Sequence, residues 1–132
     1  KEYDIEDDIK RITISNPDVE HHDAFATFTI NGEKKDCYML NICTKPFENK
    51  GDQYSDHYKF ILVPINKQKD DKDYYFIEEF DDYWNVFGEN TKYIADPEEC
   101  MADNFGYALV YGLDGMKYSN PEIIQGIINS IR

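Results

Sequence analysis

Cations are scarce in this sequence: 14 Lys and Arg stand against 27 Asp and Glu, for a formal net charge of −13. Phosphate recognition needs concentrated Lys and Arg, so the balance argues against a nucleic-acid surface and, on the same ground, against anionic membranes. Cysteine is sparse too. Cys37, Cys43 and Cys100 are odd in number and form no CxxC pair, which indicates neither a disulfide framework nor a zinc ribbon and leaves them as expected buried thiols. Such cysteine usage fits a reducing cytoplasm, or an extracellular location if a signal peptide lies upstream. No apolar run approaches the roughly 18 to 20 residues of a membrane span. The chain opens on Lys1-Glu2-Tyr3-Asp4 rather than Met, from which we expect a segment that begins inside a longer gene product.

Large apolar groups, by contrast, are plentiful. Hydrophobic residues make up 41% and aromatics 15%, with 11 Tyr and 8 Phe, too many for a disordered acidic tail. At 132 residues one domain over 1–132 is expected, with a core large enough to fold without staples.

Ile5, Ile9 and Ile12 follow helical spacing, and Ser15-Asn16-Pro17-Asp18 offers turn chemistry after them. Ala24 to Ile30 is aromatic and β-branched, and Asn31-Gly32 suits a tight hairpin whose returning strand falls at Cys37 to Cys43. Lys45 to Asp56 and Asn66 to Asp73 read as loops. Tyr58 to Ile65 is the strongest strand signal, near-continuously apolar, with Pro64 at its end or on an edge.

The period then changes from two to about 3.6 residues. Phe80, Tyr83, Trp84 and Phe87 form a helical stripe read as core, closed by Gly88. A longer helix is expected from an Asp96 cap and Pro97 to Tyr111, with Gly112 ending it. Asn120 and Pro121 open the last helix, whose apolar face is Ile123, Ile124, Ile127, Ile128 and Ile131. Strands followed by helices predict an α+β fold: an antiparallel sheet of about three strands, a short N-terminal helix and three C-terminal helices.

Within the Pro97 helix, Glu99-Cys100-Met101-Ala102-Asp103 reads ExxAD. Spacing of i, i+4 puts the Glu99 and Asp103 carboxylates on one face, where they can serve one site. Ala102 and Gly106 beside them would let another helix approach closely. Phe105, Ala108 and Leu109 are expected to hold the helix to its own core.

Here the chain resembles the gluzincin zinc metallopeptidases of bacteria, in which an HExxH helix supplies two His ligands and a general-base Glu, and a later ExxAD-type helix supplies a third ligand. The wider string from Phe87 to Glu99, followed by Ala102-Asp103-Asn104-Phe105, is similar to the downstream segment of such hydrolases, and the likeness covers roughly residues 76–132. It implies that Glu99 is the third zinc ligand and that Asp103 accepts a hydrogen bond from a ligating His. It also implies zinc in the full-length parent, an upstream HExxH-bearing segment as partner, and a peptide or protein substrate.

No HExxH occurs in these 132 residues. The adjacent pair His21-His22 has the wrong spacing, since neighbours on a helix lie about 100° apart and on a strand face opposite ways. The chain is therefore expected to be catalytically incomplete and to bind no zinc alone: either the catalytic helix lies upstream of Lys1, or the chain is a degenerate relative that lost it.

Other signals have plainer readings. Asp96 and Glu99 satisfy a capping box, which accounts for Glu99 but assigns nothing to Asp103. His21-His22 reads as exposed loop, His57 as a strand-edge polar residue, and Cys100 as a core thiol. Glu78, Glu79, Asp81 and Asp82 read as the wet face of the Phe80 helix. From a different class, the composition also suits a non-catalytic acidic module that covers a basic partner, in the manner of a bacterial immunity protein.

Overall fold

The computed structural model describes residues 6–14, 24–94 and 97–131. Ile5, the Ser15–Asp18 turn, His21, His22 and the Asp96 cap fall outside them. In chain order the elements are α1 (Asp7–Ile12), β1 (Thr13–Ile14), β2 (Phe25–Ile30), β3 (Glu33–Cys43), β4 (Tyr58–Pro64), β5 (Tyr75–Phe76), α2 (Tyr83–Phe87), α3 (Pro97–Tyr111) and α4 (Pro121–Ser130). Short 3-10 turns occupy Tyr54–Asp56 and Ile77–Glu79. The α+β class is as expected.

The sheet has five antiparallel strands rather than about three. β3 is its spine, pairing β4 on one side and both β2 and β1 on the other. Asn31 and Gly32 take φ of 51° and 79°, so the β2–β3 hairpin closes on two residues, as its Asn-Gly chemistry dictates. The returning strand starts at Glu33, four residues before Cys37, because pairing with β2 extends it through the charged Glu33-Lys34-Lys35-Asp36 stretch.

Alternation on the strands splits the core in two. Phe28, Ile30, Cys37, Met39 and Leu62 face Tyr75, Phe80, Tyr83, Phe87, Ile94 and Cys100. On the other sheet face Leu40, Ile42, Ile61 and Val63 gather under Ile9 of α1. Burial pushes the Cys37 thiol up to about 12, which keeps it protonated and inert.

The aromatic stripe differs from its expected form. Phe80 precedes α2 instead of lying in it, and Trp84 is 57% exposed while Phe80, Tyr83 and Phe87 are buried. A five-residue helix has a buried face only about one turn long, which leaves Trp84 outside.

Of the acids around Phe80, Glu78 and Asp81 turn exposed side chains to solvent as expected, whereas Glu79 and Asp82 are half-buried and structural. Glu79 accepts the Phe76 N–H at 2.9 Å and pairs with Lys72. Asp82 accepts the Thr29 N–H at 2.7 Å, and the Asp81 N–H donates to the Thr29 carbonyl at 2.9 Å. Both outward backbone groups of Thr29 on the β2 edge are thereby closed off.

A second ionic tie holds the 65–74 loop to β3. Lys35 meets Asp71 at 2.7 Å, with side chains only 12% and 7% exposed, and Asp71 also accepts from the Gln68 N–H at 2.8 Å and the Tyr75 hydroxyl at 3.1 Å. The Lys35 ammonium, then the Gln68 amide, hold the Asp71 carboxyl below its ordinary range. A depressed folded value adds stability that is complete above the unfolded value near about 3.9 and is lost as pH falls through the folded one. Thermal melts should therefore fall off below about pH 4. Asp71→Asn is expected to lower the melting temperature at neutral pH and to flatten that acid limb.

Candidate functional site

Pro at the first helical position and Gly112 at φ 59° past the last bound α3 as the sequence requires. Its buried residues are Cys100, Asn104 and Ala108, one turn apart. Phe105 and Leu109 are 39% and 60% exposed, so of the three residues expected to anchor the helix only Ala108 does so. Asn104 takes the central anchoring position. Its amide donates to the Cys100 carbonyl at 2.8 Å, and its Oδ1 accepts from Asn90 at 3.0 Å.

Asn90 is the hub of a clamp. It also donates to the Asn120 carbonyl at 2.8 Å and accepts the Asn120 N–H at 2.8 Å. Asn120 Oδ1 in turn accepts the Glu89 N–H at 2.8 Å, instead of capping α4. Gly88 makes this approach possible: its φ is +67°, and an added Cβ would lie 2.7 Å from Ile123 Cδ1 and 3.0 Å from Asn120 Oδ1. The 88–94 loop, α3 and the start of α4 are thus one polar unit. Below it Ala108, Ile124 and Ile127 form the α3–α4 core. Ile131, expected on that apolar face, is 51% exposed past the end of α4.

Glu99 and Asp103 are both half-buried on α3, one turn apart. Gly106, on the same side, has nothing within 4 Å of where a Cβ would stand, and Ala102 is exposed. Asp103 Oδ2 accepts the Thr91 hydroxyl at 2.5 Å, and Thr91 Oγ1 accepts the Tyr93 N–H at 2.9 Å. This gives Asp103 a structural task that the ExxAD spacing does not reveal. A carboxylate offers about four acceptor positions, so the Thr91 bond leaves capacity for another donor. Thr91 is itself buried, and Thr91→Val should cost about 1.5–3 kcal/mol in urea unfolding, the usual worth of a hydrogen bond to a charged group.

No family model, curated protein or solved structure matches the chain.

The metal question therefore rests on the residues. Among the described residues no three His, Cys, Asp or Glu side chains converge to hold a cation. Glu99 and its companion acid fit one of the four positions of a tetrahedral zinc site and supply no nitrogen donor. His57 is already engaged. It is 4% exposed, stacks on Phe47 at 4.1 Å and directs Nδ1 to the Lys45 carbonyl at 3.2 Å. A carbonyl only accepts, so Nδ1 carries a proton there. Nε2 stands 3.6 Å from Asp52, which also accepts the Glu48 and Asn49 N–H groups. His57 stands at the edge of β4 as expected, its carbonyl taking the Thr44 N–H at 2.8 Å, and its ring latches the 44–57 loop. His21 and His22 lie outside the described residues.

Asn90, Thr91, Asn104 and Asn120 are the site residues that sequence reasoning missed. Their signal is slight: Asn at a loop, a helix interior and a cap, with nothing local to say that they meet.

Proposed function

We propose that this chain is the C-terminal part of a zinc metallopeptidase, supplying Glu99 as the third metal ligand and Asp103 as the acid that orients a His ligand. The supporting observation is one partly exposed strip of α3. It carries Glu99 and Asp103 one turn apart beside Ala102 and Gly106, with open space over Gly106 where a second helix can lie close. Such a helix would bring the two His ligands and the general-base Glu. Zinc bound there would polarise a peptide carbonyl and lower the pKa of a bound water. The residues of this chain do the positioning. Glu99 would be the metal ligand, Thr91 holds Asp103, and the Asn90–Asn104–Asn120 clamp fixes the rotation of α3 against the loop before it.

The gene sequence upstream of Lys1 tests this. An HExxH-bearing helix in the same reading frame supports it, and a frame that opens close to Lys1 with no such motif overturns it.

A second reading, a non-catalytic acidic protein-binding module, is favoured by a different observation: large apolar side chains on the flank of α3 stand uncovered. Met101 is 54% exposed and Leu109 is 60% exposed.

A further inference from the structure

Beside the Glu99–Asp103 strip, α3 turns another strip to solvent. Met101, Phe105 and Leu109 follow one another at i, i+4 and i+8, 54%, 39% and 60% exposed. Met101 and Phe105, together with Pro97, Glu98 and Ala102, line a shallow depression of about 530 Å³. A surface helix ordinarily buries one apolar stripe and shows polar residues elsewhere. α3 buries Cys100, Asn104 and Ala108 and still presents this strip, with Val110 and Tyr111 exposed after it, so among the described residues the strip is an apolar face that no other element covers.

The charge around that face selects what can cover it. On α3 itself the charged residues are Glu98, Glu99 and Asp103, and no Lys or Arg stands between Lys92 and Lys117. A second copy of this chain would set the same acids against these, so like-charge repulsion opposes self-association through the strip. A cationic partner gains where a copy would lose.

We propose that the Met101–Phe105–Leu109 strip docks a cationic amphipathic helix. This inference rests on the binding-module reading and not on a metal at Glu99. The partner lays two apolar side chains, one turn apart, into the depression, and Lys or Arg beside them reach Glu98 on its rim. Apolar contact gives the hold, and the surrounding acids steer the encounter and reject acidic helices.

The test titrates the 132-residue chain with a synthetic Leu/Lys amphipathic helix of about 18 residues, long enough to hold helical structure, and with a Leu/Glu helix of identical apolar face. Binding is read by calorimetry and by amide chemical shifts. The Leu/Lys peptide is expected to bind with shifts concentrated on α3, more weakly as salt rises, and the Leu/Glu peptide not to bind. Met101→Gln/Leu109→Gln, both at exposed positions, should weaken binding about tenfold, equivalent to about 1.4 kcal/mol, with an unchanged circular dichroism spectrum. Trp84→Gln, which removes an equally exposed aromatic outside α3, should leave binding as it was. If the Leu/Lys peptide binds with shifts elsewhere, or with equal affinity to Met101→Gln/Leu109→Gln, this docking site is wrong while the binding-module reading stands. Equal binding of the Leu/Glu helix, or no binding of either peptide, overturns the site as well.

Discussion

Phe28→Ala is expected to destabilise the protein by about 3–5 kcal/mol, the range for emptying a fully buried aromatic site. Phe28 has no exposed surface and is where the sheet meets the helices. Its ring stacks on Tyr83 at 5.5 Å, meets Phe80 edge-on at 5.6 Å and packs obliquely on Phe87 at 5.8 Å. Removing it strips three aromatic partners of contact at once and leaves a void that α2, five residues long, cannot fill by shifting. The comparison is Phe25→Ala three residues earlier on the same strand. Phe25 is 53% exposed on the opposite sheet face, and its loss should cost no more than about 1 kcal/mol. Urea midpoints of the two variants measure the difference, and similar values would contradict the strand register.

Asn90→Ala should cost about 1–3 kcal/mol, because it orphans one acceptor that water cannot reach and breaks two half-buried bonds to Asn120. Asn104 is 1% exposed, and its Oδ1 takes its hydrogen bond from Asn90. The N–H of Asn120 loses its partner in the same step, and its carbonyl loses one of two donors, keeping the Ile123 N–H at 3.3 Å. Amide exchange at Asn120 and Glu89 should quicken in this variant ahead of the β3 and β4 amides. Because Asn90 and Asn104 share one bond, the double variant with Asn104→Ala should fall short of the sum of the two single losses by about 1 kcal/mol or more.

These two residues also mark the boundary of what the sequence discloses. Phe28 lies in an aromatic, β-branched run beside an Asn-Gly turn, so strand, hairpin and burial are all encoded within a few neighbours. The same locality made β4, α3 and α4 legible, through a continuous apolar run and through Pro at the helix starts. β1 and β5 were not legible. Each is two residues long, and each exists because β3 or β4 offers it an edge, not because Thr13-Ile14 or Tyr75-Phe76 has a pattern of its own.

The α3 anchor failed differently. Apolar spacing singled out Phe105 and Leu109, yet a buried Asn104 holds the position, since its amide can be satisfied by Asn90 and the Cys100 carbonyl. Those partners are 14 and 4 residues away, and only the fold brings the more distant one near. For the candidate site, the i, i+4 relation of Glu99 and Asp103 was plain, whereas Thr91 was invisible because its hydroxyl comes from a loop 12 residues upstream.

Zinc content is the most direct test of the role proposed for Glu99. The natural gene product carrying this sequence would be purified as wild type, Glu99→Gln and Glu98→Gln, and its zinc measured by mass spectrometry after dialysis. Wild type and Glu98→Gln are predicted to retain about one zinc per chain, filling a single four-ligand site, and Glu99→Gln to lose it while keeping its fold. Zinc retained equally by Glu99→Gln, or no zinc in the wild type, would contradict the account.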